Sequence, residues 1–358
     1  MIQKRIESID VLRGFVVVLS VFVSALPYGG YPLFRHAEWY GLTITDFIFP
    51  AFLTLFGVGL AIANFKGVNW KKLMRRTFLL LLFGLLFNMI VSWSIDIHNL
   101  RFTGVLQLFA IAGLFTILLT RLVTRIPYIL LLSISISTLY LFFLIGTSQT
   151  CGGLIPQADC LASFKIDRFL FTDVHLYRAG SSGFDPEGFV NMISALTNVL
   201  AGYAIGLILI RKDINKKTMT LLLIGGLFIL IGCVFSQWID FNKRIWSPSF
   251  SLVTTGMTLF LLGCLYWLID KKNFLTKQNP VVVYLTAFGK NSLLIYFGKL
   301  ILLTFVSKIT LNVIGMDSTI ADVLHRFVPS KVGYAFLFVL FWSVVAIIMH
   351  LNKKYVKV

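Results

Sequence analysis

Acidic side chains are scarce in this sequence, with 15 Asp and Glu against 32 Lys and Arg among 358 residues, and charged residues of either sign make up only 13%. Hydrophobic residues make up 58%. A soluble domain of this size cannot enclose that much apolar surface, which excludes a water-soluble enzyme or binding module. Cysteine is nearly absent: there are four, with no Cys-x-x-Cys pair and no cluster among the five histidines, so no metal is expected. No internal repeat is visible, which argues against a transporter built from inverted halves. Gly57 and Gly59 lack a preceding strand and a third glycine in register, and make no dinucleotide fingerprint.

What the chain does have is a series of long apolar runs. Ten are long enough to cross a bilayer or nearly so, over 11–27, 45–64, 77–95, 104–120, 126–146, 189–210, 218–239, 248–269, 290–311 and 333–351. The expected fold is an all-α polytopic transmembrane bundle of about ten spans, a single integral domain over 1–358 with an outer loop at 147–188. Basic residues precede the first run as they do in a signal peptide, but Glu7, Asp10 and Arg13 point to an uncleaved first span.

With the N-terminus in the cytoplasm, about two thirds of the Lys and Arg fall at cytoplasmic ends, and both termini lie inside. Lys4, Arg5, Lys71, Lys72, Lys212, Lys290 and Lys357 are among them. This bias accounts for most of the +17 charge with the lipid bilayer as partner and no nucleic acid. Cys151 and Cys160 flank a polar turn in the outer loop, where an oxidising compartment allows a local disulfide, while Cys233 and Cys264 read as small apolar residues within spans. Gly202 and Gly206 suit close helix packing, within one subunit or between two.

The stretch from His36 to Pro50 sets a lone histidine, Trp39 and Asp46 between two apolar runs. Histidine exchanges a proton near neutral pH, so His36 is either a proton acceptor or a loop residue with a hydrogen-bond partner. Asp46 either orients that imidazole or caps its own helix behind Thr43 and Thr45. Asp10 and Arg13, three apart, pair on a helix at the inner interface or contact a cofactor. Arg75 and Arg76 either set topology or neutralise the phosphates of a cytoplasmic cosubstrate. Asp185 and Glu187 in Gly183-Phe-Asp-Pro-Glu-Gly188 open a helix or bind a sugar, and Asn242, Lys243 and Trp246 form a second outer cluster with the same two readings. Asn291, Ser292 and Lys299 are expected to face the bundle interior. His98, His175, His325 and His350 read as structural.

These blocks resemble the heparan-α-glucosaminide N-acetyltransferase family of transmembrane acyltransferases. The likeness rests on Arg5-Ile-Glu-Ser-Ile-Asp-Val-Leu-Arg-Gly14, His36-Ala-Glu-Trp-Tyr-Gly41 with Thr45-Asp46 and Phe49-Pro50, Gly104-Val-Leu-Gln107, Phe184-Asp-Pro-Glu-Gly188, Asn242-Lys-Arg-Ile-Trp246 and Gly289-Lys-Asn-Ser-Leu-Leu-Ile-Tyr296. The resemblance implies transfer of an acetyl group from cytoplasmic acetyl-CoA to an amino sugar at the far face, with His36 as the active-site histidine. Read from the residues themselves, acetyl-CoA contacts are expected at Asp10, Arg13, Arg75, Arg76, Asn291 and Ser292. Acceptor contacts fall at Ser24, Trp39, Asp185, Glu187, Asn242, Lys243 and Trp246. The extra lumenal domain and leading span of the lysosomal members are not matched, so a protein of the bacterial inner membrane is expected, and the resemblance separately implies a homodimer. Ser24 stands where the family has asparagine, one residue further from the histidine. An amino-sugar permease and an O-acetyltransferase of an envelope glycan remain as other readings.

Overall fold

The computed structural model describes residues 5–27, 30–150, 152–153, 155–211, 216–272, 274–313 and 316–356. Lys4, Cys151, Lys212 and Lys357 lie outside the described residues; Cys160 is disulfide-bonded. Thirteen α-helices account for almost all regular structure: α1 (Glu7–Ala25), α2 (Ile44–Asn64), α3 (Trp70–Ser92), α4 (Val105–Leu122), α5 (Ile126–Gln149), α6 (Ala162–Phe171), α7 (Phe189–Ile210), α8 (Lys217–Phe235), α9 (Pro248–Leu265), α10 (Pro280–Lys290), α11 (Ser292–Lys308), α12 (Ile320–Phe327) and α13 (Lys331–Leu351). Among the described residues nine helices are long and apolar enough to cross a membrane, α9 counting with its continuation to Lys271. The bent pair α10 and α11 makes a tenth span if its halves are joined. The expected all-α bundle is what forms.

Glycines set how closely the central helices approach. A Cβ on Gly202 would sit 2.0 Å from the Thr54 carbonyl oxygen, and one on Gly206 2.6 Å from the Ala61 Cβ. Gly202 and Gly206 therefore press α7 onto α2 within the subunit, backbone against backbone. The same device joins α1 to α10, where a Cβ on Gly14 would meet the Leu285 carbonyl.

The ninth span departs from expectation. In place of one helix over 290–311, α10 begins ten residues earlier and meets α11 at a 74° corner. Asn291 occupies the corner with φ −107° and ψ 18°, and its Nδ2 donates to the Ala287 carbonyl at 3.2 Å. Asn291 follows the last residue of α10, a position at which asparagine readily ends a helix, and here it turns one. After Lys308 the chain leaves the helix for a two-stranded hairpin, β1 (Thr310–Val313) with β2 (Met316–Thr319), before a Thr319–Asp322 capping box starts α12.

The helices alternate so that the starts of α1, α3 and α10 share one end of the bundle with the ends of α2 and α13. That end carries most of the basic clusters and is called the basic end below. The opposite end carries His36 and the 147–188 segment. This segment is folded down rather than free: Trp39 Nε1 and Tyr40 Oη both donate to the Pro156 carbonyl, at 3.0 and 2.7 Å.

Candidate active site

Thr43 begins α2 and its hydroxyl accepts the Asp46 N–H, so the helix presents Asp46 in its first turn. Asp46 is 1% exposed and meets four hydrogen-bonding partners. Its Oδ1 lies 2.6 Å from His36 Nδ1, and its Oδ2 accepts from Ala37 N (3.1 Å), Thr43 N (3.2 Å) and Thr43 Oγ1 (2.9 Å). The two readings left open by sequence are both realised: one carboxylate caps α2 and holds the imidazole. A carboxylate on Nδ1 fixes the proton there, which leaves Nε2 as the free acceptor. The His36 side chain is half exposed.

Lys243 comes from the loop between α8 and α9 and brings its Nζ to 3.2 Å from His36 Nδ1 and 3.3 Å from Nε2. Burial pushes its ammonium pKa down, Asp46 and Glu187 pull it back up, and Arg244 adds to the fall. The two loops are tied by Gly41 N to Phe241 O at 2.7 Å and Arg244 Nη2 to Ala37 O at 3.3 Å.

A cavity of about 680 Å³ runs into the bundle from the basic end. Arg5, Arg13, Lys72, Arg75, Arg76 and Lys290 surround its mouth, and Phe49, Phe52, Phe56, Phe109, Tyr296 and Phe297 line its depth. Along α2 its wall extends from Ala63 to Phe49, about 21 Å at 1.5 Å per residue. Phe49 is one helical turn, about 4.5 Å of rise, from Asp46. Cations at one end and aromatic walls beyond them make a cavity for an anionic molecule with a long arm, and its lining ends at Phe49, one turn of α2 short of the Asp46 that holds His36. A second hollow, of about 560 Å³ between α8 and α9, is lined by Met219, Leu222, Trp267 and Leu268 among others and contains none of the residues around His36.

The family model described as "Heparan-alpha-glucosaminide N-acetyltransferase, catalytic" matches residues 5–238. The chain belongs to this family. It is 27% identical to the human heparan-alpha-glucosaminide N-acetyltransferase over 82% of its own length and 52% of that protein's, and 27% identical to the mouse protein over 83% and 54%. The chain thus spans about half the length of the curated relatives it matches. The segment matched by the heparan-alpha-glucosaminide N-acetyltransferase model takes in His36, Asp46 and the arginines of α1 and α3, and stops before Lys243 and the α10–α11 corner.

The residues that sequence singled out fall into two groups in this family member. Arg13, Arg75, Arg76 and Ser292 do line the cavity. Asp10 and Asn291 do not: Asp10 is buried behind the wall, paired with Arg5 at 2.6 Å and Arg13 at 3.7 Å, and Asn291 is fully enclosed at the corner. Lys243 and His36 meet. Trp246 is fully enclosed, with its Nε1 on Asn198 Oδ1 at 3.1 Å and Phe49 edge-on at 5.2 Å, so it offers no face to an acceptor. Asn242, equally enclosed, spends its Oδ1 on the Arg244 and Ile245 N–H groups. Trp39 is half-buried against Phe184.

Asp185 and Glu187 are drawn away from solvent by a residue that sequence reading missed. Arg101 Nη2 reaches Asp185 Oδ1 at 2.6 Å and Glu187 Oε2 at 2.7 Å, with its guanidinium 4.8 Å from the Tyr177 ring centre. Asp185 also accepts from Thr103 Oγ1 at 2.5 Å and Tyr177 N at 2.8 Å. The Asp-Pro-Glu-Gly block is a clamp on the chain entering α4. Arg101 had one signal, its position just before Gly104-Val-Leu-Gln107. Tyr296 and Lys290 had theirs in the Gly289 block but were not chosen. Ser24 lies apart from these groups: its Oγ accepts from Lys299 Nζ at 2.8 Å, and Lys299 also donates to Ser20 through carbonyl and hydroxyl.

Proposed function

We propose that this protein transfers an acetyl group from acetyl-CoA to the amine of a glucosamine-type sugar, with the donor's charged half at the basic mouth and the acceptor at His36. The observation that carries this reading is the aromatic passage that starts among six cations and stops one turn from the carboxylate holding the imidazole. Arg13, Arg75 and Arg76 suit the donor's phosphates because their charge exceeds what Asp10 neutralises, and Arg76 Nε is buried without a hydrogen-bond partner. The thioester is the electrophile that the donor supplies. At the other end His36 Nε2 takes a proton from the acceptor nitrogen as that nitrogen attacks, and Asp46 stabilises the imidazolium formed. Transfer is direct, with both substrates present together. The basic end faces the cytoplasm of a bacterial inner membrane, both termini lie there, and the protein works as a homodimer.

The test is acetyl transfer from labelled acetyl-CoA to glucosamine by purified protein in detergent. Replacing His36 with Ala is expected to lower kcat by about 10²–10⁴-fold. Wild-type turnover by His36→Ala removes the assignment, and uptake of labelled sugar without acetyl-CoA consumption makes the protein a permease.

A further inference from the structure

The position that an acceptor amine must take beside His36 already holds an amine of the protein itself. Lys243 Nζ lies 3.2 and 3.3 Å from the two imidazole nitrogens, within the distance at which a general base collects a proton. Nδ1 is committed to Asp46, so Nε2 is the nitrogen left to receive it. Among the described residues Lys243 has no carboxylate within ion-pair distance, while the acids nearby are spent elsewhere: Asp46 on His36 and Glu187 on Arg101. Its stem is four carbons long, and a small swing carries Nζ from its place between the two nitrogens onto the Nε2 lone pair.

A thioester brought to this histidine therefore meets Lys243 whenever no sugar intervenes. Resting on the acetyl-CoA reading above, we propose that Lys243 is a self-acetylation site, converted to Nε-acetyllysine by the enzyme when donor is present and acceptor is absent. The ammonium first releases one proton to water. The neutral nitrogen attacks the thioester carbonyl carbon, and His36 Nε2 takes the second N–H proton as the C–N bond forms. That proton passes to sulfur as the C–S bond breaks, leaving the amide and the free CoA thiol. Burial favours the first step by lowering the ammonium pKa. An amide does not return its acetyl group to an amine, so the product is a blocked site and not an intermediate: the acetylated side chain fills the acceptor's place and has lost its charge.

The experiment incubates the full chain in detergent with isotopically labelled acetyl-CoA alone and reads each lysine by peptide mass spectrometry. Lys243 is expected to be labelled about 100-fold faster than the exposed Lys71, the advantage of a positioned base. Saturating glucosamine suppresses labelling at Lys243 and leaves Lys71 unchanged, a control that needs no variant. In His36→Ala the two lysines label alike. Transfer to glucosamine with Lys243 labelled no faster than Lys71 overturns self-acetylation and keeps the donor reading. Labelling of Lys243 without transfer to glucosamine keeps self-acetylation and overturns the acceptor. Neither reaction overturns both.

Discussion

The two ends of the passage treat charge in opposite ways. At the His36 end the buried carboxylates are satisfied: Asp46 by four donors, and Asp185 by Arg101, Thr103 and backbone. At the basic mouth the six cations have, among the described residues, one carboxylate within ion-pair distance, Asp10, and Arg76 stacks on Phe56 at 5.2 Å in place of an acid. The first arrangement is complete without a ligand. The second is completed by an anion. Removing a cation should therefore damage one end and relieve the other. Arg101→Met leaves Asp185 buried with no counter-charge and is expected to cost about 3–5 kcal/mol of stability. Arg76→Met, which removes one of several like charges, is expected to leave stability unchanged or raised. Thermal unfolding of both variants in detergent checks the contrast, and equal losses would remove it.

The same contrast predicts kinetics at the mouth. Arg76→Met is expected to raise KM for acetyl-CoA by about 10–100-fold, the worth of one hydrogen bond to a charged group, with kcat much less affected. Added salt should raise the wild-type KM and narrow its gap to the variant, because screening acts on the charge that the variant has lost. A variant that lowers kcat at constant KM would place Arg76 elsewhere.

Much of this was legible from the chain. Hydropathy marks helices of membrane length, and the cap residue Thr43 stands where α2 begins, whereas α3 begins at Trp70 behind Asn69, seven residues before the apolar run expected there. His36 and Asp46 meet because ten residues of loop return to the first turn of α2, which suits a sequence that places a capping acid shortly after a histidine. Direction of burial was not legible. Trp246 sits at φ 50° in a tight turn that points its indole inward, and nothing in Asn242-Lys-Arg-Ile-Trp246 says which of its polar members faces the site. Asp185 was read as opening a helix or binding a sugar because its partner Arg101 is 84 positions away, and ion pairs between distant segments leave no periodicity. The corner at Asn291 was hidden because apolar residues continue on both sides of it.

Asp167 extends the comparison to pH. It is 1% exposed on α6, accepts the Val190 N–H at 3.2 Å, and so holds the start of α7 without any cation paired to it. Burial pushes its carboxyl pKa up to about 7 from an ordinary 3.8. Between those values the unfolded chain is ionised while the folded one keeps its proton. Stability from this group is full below pH 3.8 and lost as pH rises through about 7. Asp167→Asn keeps an oxygen for Val190 and removes the titration. Melting temperature is expected to fall from pH 5 to pH 8 in the wild type and to fall less in the variant. Parallel curves would show that Asp167 titrates normally.

The smallest effect belongs to Ser24, the position at which the resemblance led an asparagine to be expected. Lys299 is 3% exposed, and its ammonium has three protons and three oxygens to give them to: the Ser20 carbonyl, the Ser20 hydroxyl and Ser24 Oγ. These bonds bolt α11 to the last turns of α1, towards the His36 end, using a cation with dipoles where Arg101 uses carboxylates. Ser24→Ala deletes one acceptor of three and leaves the ammonium two. Interhelical hydrogen bonds in membranes average about 0.6 kcal/mol and reach about 1.7, so the loss is expected in that range, well below that of Arg101→Met. Because Ser24 touches Lys299 and not His36, kcat for acetyl transfer should move far less than with His36→Ala. A Ser24→Ala protein of unchanged stability but strongly reduced kcat would instead put the serine at the acceptor, where the family resemblance had led it to be sought.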